Sequence, residues 1–149
     1  MEPPFIYDKA PLLSKPCKLC EVVKRESGGE REIINTDEFI VLCPWASRVP
    51  YEILLLPKRH EKDFFSLKDE ALKELSEILC KIFKALNKIL GNFPFNFWFS
   101  NYYRGIKDYH WHLEILPRLT YFAGLELGSG VYINILYPEE ACKNIKACL

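Results

Sequence analysis

The stretch Tyr109-His110-Trp111-His112-Leu113-Glu114-Ile115 constrains this chain more than any other, because it holds two of only three histidines and alternates polar with apolar residues. A period of two is the signature of a strand. His110, His112 and Glu114 then leave from one face while Trp111, Leu113 and Ile115 leave from the other and can pack on a core. Alternate side chains on a strand stand about 6–7 Å apart, so the polar row can hold a metal, a phosphate or both. A merely solvated polar face is the other reading, although two imidazoles and a carboxylate on an otherwise apolar strand are an uncommon way to meet water.

Composition narrows the field. The 149 residues are about half apolar, enough for one well-buried core. Lysine plus arginine equal aspartate plus glutamate at 20 each, so no net field draws in nucleic acid or an anionic membrane surface. The opening Met1-Glu2-Pro3-Pro4 lacks a basic, then apolar, leader, and no run is long enough to cross a bilayer. These features predict a cytoplasmic protein. Six cysteines, scattered apart from Cys17 and Cys20, suit free thiols and a metal knuckle better than a disulfide framework.

Residues 1–16 carry four prolines and little periodicity, which predicts an extended arm before a single domain over 17–149. Cys17-Lys18-Leu19-Cys20 has the spacing of a zinc knuckle, with a redox pair or two buried cysteines as alternatives. Glu32-Ile33-Ile34-Asn35 and Phe39-Ile40-Val41-Leu42 read as a hairpin, and Tyr51–Leu56 as a further strand stopped by Pro57. His60 follows that strand and is equally readable as a surface residue.

Ser66 and Asp69 resemble a capping box, and apolar residues at 72, 75, 79, 82, 86 and 89 predict a helix of six or seven turns ending at Gly91. Phe93, Phe95, Phe97 and Phe99 alternate with other residues as a strand whose aromatic row fills a core, rather than stacking bases. Arg104-Gly105 suggests a turn. Gly124, Gly128 and Gly130 suit turns or bulges, Val131–Leu136 reads as a strand, and Pro138 can open a short final helix.

Cys17, Cys20, His60 and His110 together make the Cys2His2 set that zinc prefers, which leaves His112 unspent. At this point the chain resembles the galactose-1-phosphate uridylyltransferase branch of the histidine-triad superfamily. The carriers are the Cys17–Cys20 knuckle, Pro44-Trp45-Ala46-Ser47-Arg48-Val49-Pro50-Tyr51-Glu52, Leu56-Pro57-Lys58-Arg59-His60, Tyr109–Arg118 and Ala123-Gly124-Leu125-Glu126. They cover nearly everything after residue 16.

The resemblance implies an α+β fold, an antiparallel sheet with one long helix packed on it as a histidine-triad-like half-barrel. It also implies that this chain corresponds to the second half of a two-half enzyme whose first half carries the nucleophile in a His-Pro-His-x-Gln motif. Here Trp111 stands for the proline and Glu114 for the glutamine. An ionised Glu114 would repel a phosphoryl oxygen unless a metal or a proton neutralises it. What the resemblance implies for function is a nucleotidyltransferase between a nucleotide sugar and a sugar 1-phosphate, with His112 as nucleophile beside Glu114 and zinc as cofactor. Lys58, Arg59 and Arg118 can offset phosphate charge or serve equally as solvated surface charges, Asn101 is a further candidate substrate contact, and the resemblance matches Glu126 to a position that contacts sugar hydroxyls. The implied assembly is a homodimer or a heterodimer with a first-half-like chain. A histidine-triad nucleotide hydrolase and a non-catalytic zinc-binding half are the alternatives.

Overall fold

A computed structural model describes residues 17–101 and 109–149. The expected arm over 1–16 and the turn at Arg104-Gly105 lie outside the described residues.

Five strands form one open antiparallel sheet: β1 Glu32–Asn35, β2 Phe39–Leu42, β3 Ile53–Pro57, β4 Phe95–Ser100 and β5 His112–Pro117. Their spatial order is β1-β2-β3-β5-β4, so β5, the last strand in sequence, inserts between β3 and β4. The helices are α1 Lys18–Glu26, α2 Asp69–Leu90, α3 Gly124–Ser129 and α4 Pro138–Lys146. The architecture is α+β, with an antiparallel sheet carrying one long helix as expected.

Both faces of the central strands are covered, which is why β2 and β3 read as unbroken apolar runs instead of alternating ones. On one face Phe39, Val41, Ile53, Leu55, Trp111, Leu113 and Ile115 pack against Leu75, Ile78, Ile82 and Leu86 of α2 and Ile145 of α4. On the other, Ile40, Leu42, Leu54 and Leu56 pack with Leu19 and Val23 of α1. The two-residue period of β5 therefore sends Trp111, Leu113 and Ile115 toward α2. His112 and Glu114 go to the α1 face.

Several expectations need correction. The residues after Cys17 form a helix, which the knuckle spacing alone does not predict, because Leu19 and Val23, four apart, both face the sheet. α2 begins at Asp69 with no side-chain cap, since Ser66 belongs to a 3-10 turn over Phe64–Ser66 and its hydroxyl donates to the Asp63 carbonyl. Its end at Gly91 is as expected, with the glycine at φ 69°. The central strand starts at His112 rather than Tyr109, because β4 ends opposite at Ser100 and the Trp111 amide donates to the Glu61 carbonyl instead.

Gly124 and Gly128 lie inside α3, and only Gly130, at φ 71°, closes a helix. Val131–Leu136 is not a strand: among the described residues no neighbouring strand offers it a ladder, and Val131, Ile133 and Ile135 stay exposed. The aromatic row of β4 is only partly interior. Phe95, Phe97 and Phe99 lie on the sheet's edge strand and remain 45%, 37% and 39% exposed, while joining Phe64, Phe83 and Phe93 in a continuous run of ring contacts.

Leu55 is buried between β2, β5 and α2, whereas Phe95 is nearly half exposed. Leu55→Ala is expected to cost about 2–5 kcal/mol in urea denaturation and Phe95→Ala less than about 1 kcal/mol. Equal losses would show that the edge aromatics are as much a part of the core as β3.

Candidate metal centre and histidine strand

Four side chains converge where α1, the end of β3 and the approach to β5 meet. Cys17 caps the N-terminus of α1 and Cys20 lies in its first turn, which brings the two thiols to one end of the helix. His60 sits three residues beyond β3 and His110 two before β5. The ligand atoms of Cys17, Cys20, His60 and His110 all lie within 4.8 Å of one another. Cys20 Sγ is 3.3 Å from His60 Nδ1 and 3.4 Å from His110 Nδ1, and Cys17 Sγ is 3.7 Å from His110 Nδ1. Tetrahedral coordination with zinc bond lengths separates neighbouring ligand atoms by about 3.3–3.8 Å, so the donors match such an ion in number and these three separations match it in spacing.

The second contacts of these ligands point the same way. His110 Nε2 lies 2.9 Å from the Pro57 carbonyl, an acceptor that fixes the proton on Nε2 and leaves the Nδ1 lone pair facing the thiols. Burial, opposed in part by that hydrogen bond, lowers His110 to about 4, so the ring is neutral at physiological pH. Burial and the adjacent Cys17 push Cys20 up to about 11, so a metal ion binding here displaces a proton.

Two residues further on, the strand makes a different environment. His112 is 1% exposed, its Nδ1 is 3.1 Å from the His110 carbonyl, and the Tyr109 ring stacks on it at 6.2 Å and 23°. A carbonyl only accepts, so Nδ1 carries the proton and Nε2 is the nitrogen turned toward Glu114, whose Oε1 is 3.5 Å away. The register sets Glu114 directly across from Trp98 on β4 and Leu54 on β3, so these residues share a face. Trp98 Nε1 accordingly donates to Glu114 Oε1 at 3.2 Å.

A guanidinium offsets the charge of Glu114. Arg48, 6% exposed, donates through Nη2 to both Glu114 and Glu52, and through Nε to Glu52 at 2.9 Å. Burial pushes Glu114 up, but a hydrogen bond from His112 in its doubly protonated form and the Arg48 charge outweigh it and hold the carboxyl below its ordinary range. Burial wins at Glu52, which is raised despite Arg48. Arg48, Glu52 and Trp98 were not singled out from the sequence as site residues. The signal was present in Arg48 and Glu52, two opposite charges four apart in a segment bounded by buried apolar residues.

The expected substrate contacts are spread more widely. Lys58 Nζ donates to Asn35 Oδ1 and the Thr36 carbonyl, which ties down the β1–β2 turn. Asn101 accepts from the Phe64 amide and donates to Asp63, holding the 3-10 turn. Glu126 accepts from the Ala123 amide at the start of α3. Arg59 and Arg118 are exposed.

Galactose-1-phosphate uridylyltransferase of Thermotoga maritima is 30% identical over 143 residues, spanning 89% of this chain and 45% of that protein. A solved uridylyltransferase superposes over 99% of this chain and 51% of its own with a TM-score of 0.83 at 26% identity. The chain is similar to galactose-1-phosphate uridylyltransferases over most of its own length. No family model matches it. A zinc-bound histidine triad family protein from Mycobacterium smegmatis, 18% identical, shares the fold over 89% of this chain and 91% of its own with a TM-score of 0.62. The chain spans about half the length of the uridylyltransferases it matches.

The depressed His110 gives the metal-free chain a pH signature. Its unfolded ring takes up a proton near 6.5 while its folded ring resists until about 4, so stability is whole above 6.5 and falls as pH drops toward 4. The full loss is about 3 kcal/mol. Urea denaturation of metal-stripped protein at pH 7 and pH 5 is expected to show much of this loss, and His110→Gln to flatten it. An unchanged slope in that variant would contradict the assignment.

Proposed function

We propose that this chain is a nucleotidyltransferase domain of the uridylyltransferase type, acting on a nucleotide sugar and a sugar 1-phosphate through a covalent histidine intermediate. The observation that supports it is His112, buried, held through Nδ1 by a backbone carbonyl, and placed one strand repeat from a Cys2His2 cluster. Cys17, Cys20, His60 and His110 would hold zinc as a closed, structural site that fixes α1 and the two histidine-bearing segments to one another.

In the proposed reaction His112 Nε2 attacks the α-phosphorus of the nucleotide sugar. An N–P bond forms, the P–O bond to the sugar phosphate breaks, and a sugar 1-phosphate leaves. A second sugar 1-phosphate then attacks the same phosphorus and releases His112. Arg48 offsets the charge of Glu114 beside the reacting nitrogen. Arg59 and Arg118, exposed on the chain, are available to phosphate oxygens, and Glu126 to sugar hydroxyls. The exclusion of water by burial favours transfer over hydrolysis.

Half-length relative to the uridylyltransferases supports a second reading, in which the site is completed by a partner, either a first-half-like chain or a second copy. Two surfaces agree with it. β4 is an edge strand with a half-exposed aromatic row, and the segment from Leu119 to Tyr137 exposes Tyr121, Leu125, Leu127, Val131, Ile133 and Ile135. No described helix is long and apolar enough to cross a membrane, and we place the protein in the cytoplasm.

Incubation of zinc-loaded protein with uridine or adenosine diphosphate glucose, followed by intact mass measurement, is expected to show one nucleoside-monophosphate increment that His112→Ala loses. Labelling that needs a first-half chain would select the partner-dependent reading. Labelling that survives His112→Ala would overturn the assigned nucleophile.

A further inference from the structure

The segment between β2 and β3 is more tightly built than a connector requires. Tyr51 has φ 61°, the only positive value at a non-glycine position among the described residues, a conformation that persists only where surroundings over-determine it. They do so here. Ser47 Oγ donates to the Pro44 carbonyl, the Glu52 amide to the Val49 carbonyl, and Asn134 Nδ2 to the Val49 carbonyl from the distant 131–136 segment. Asn144 on α4 donates to the Tyr51 hydroxyl. At the centre of this loop the Arg48 amide and Nε both donate to Glu52, which leaves Nη2 to bridge Glu52 to Glu114.

Simple stabilisation is a poor account of this arrangement. A buried ion pair seldom stabilises a fold more than well-packed apolar residues of the same volume, because desolvation offsets the attraction. The loop nonetheless buries one guanidinium and two carboxylates, with Arg48 6%, Glu52 1% and Glu114 1% exposed. The guanidinium also lies over the Trp98 ring at 5.5 Å, and Trp98 itself donates to Glu114. The Arg48 and Trp98 contacts meet at one object, the carboxylate 3.5 Å from His112 Nε2.

We infer that Arg48 is a positioning residue for the His112 site: clamped by Glu52 and the strained loop, it holds the Glu114 carboxylate in place beside His112 and offsets part of the charge that would repel a phosphate. This rests on the nucleotidyl-transfer reading for its ligand class, an anionic phosphate ester, but its positioning content stands apart from catalysis. Without Arg48 the site keeps two buried carboxylates, one of them 3.5 Å from the reacting nitrogen. With Arg48 removed and Glu114 also neutralised, one of those charges is gone and an anion can approach again.

The test compares zinc-loaded wild type, Arg48→Met, Arg48→Lys and Arg48→Met/Glu114→Gln by two readouts. The first is uridine monophosphate affinity together with labelling by uridine diphosphate glucose. Arg48→Met is expected to weaken both at least tenfold at unchanged zinc content, and the double variant to recover most of the loss. Arg48→Lys, which keeps the charge without the fork, is expected between them and serves if Arg48→Met does not fold. The second readout is the NMR signal of the His112 ring without nucleotide, expected to move in Arg48→Met and to return toward wild type in the double variant. A His112 signal that responds in a wild type that neither binds nor is labelled keeps the positioning role and sinks the transfer reading. Normal labelling of a folded Arg48→Met, a lack of rescue by Glu114→Gln, or an unmoved His112 signal would overturn the inference.

Discussion

Everything in this molecule depends on the alternation of β5 and its approach, which separates a greasy face from a chemical one. Trp111, Leu113 and Ile115 insert into the layer under α2, and that burial fixes the register against β3 and β4. A slip of one residue would send the histidines into the α2 core and the tryptophan into the site. Apolar packing on one side of a strand thus sets the positions of His110, His112 and Glu114 on the other to within the tolerance that ligand and nucleophile geometry demands.

The two histidines divide their tasks by what their second nitrogens touch. His110 gives Nε2 to the Pro57 carbonyl and turns Nδ1 to the thiols, whereas His112 gives Nδ1 to the His110 carbonyl and turns Nε2 toward Glu114. One backbone therefore orients two rings in opposite senses, two residues apart. Arg48 extends the pattern, because a carboxylate that would be a poor neighbour for phosphate is held as one member of a guanidinium-bridged group with Glu52.

Much of this could be read from the residues alone. The strand, the hairpin, the long helix with its glycine stop and the Cys17, Cys20, His60 and His110 set all carry short-range periodicity or fixed spacing, and the structure brings the four donors together. What escaped has a common physical cause. Ser66 looked like a cap, but Asp63 captured its hydroxyl; Val131–Leu136 looked like a strand, but a strand needs a neighbour and the described chain supplies none. Arg48 and Glu52 were hidden because their partner, Glu114, is more than sixty residues away and joined only by the crossover of β5 between β3 and β4.

The division of labour along one strand is the centre of this account, and zinc affinity in two single variants tests it most directly. His110→Ala is predicted to lower zinc affinity by more than about 100-fold, while His112→Ala binds zinc as the wild type does. Comparable losses in both variants, or a loss in His112→Ala alone, would mean that the metal draws on the row as a whole and that no separate phosphate site exists beside it.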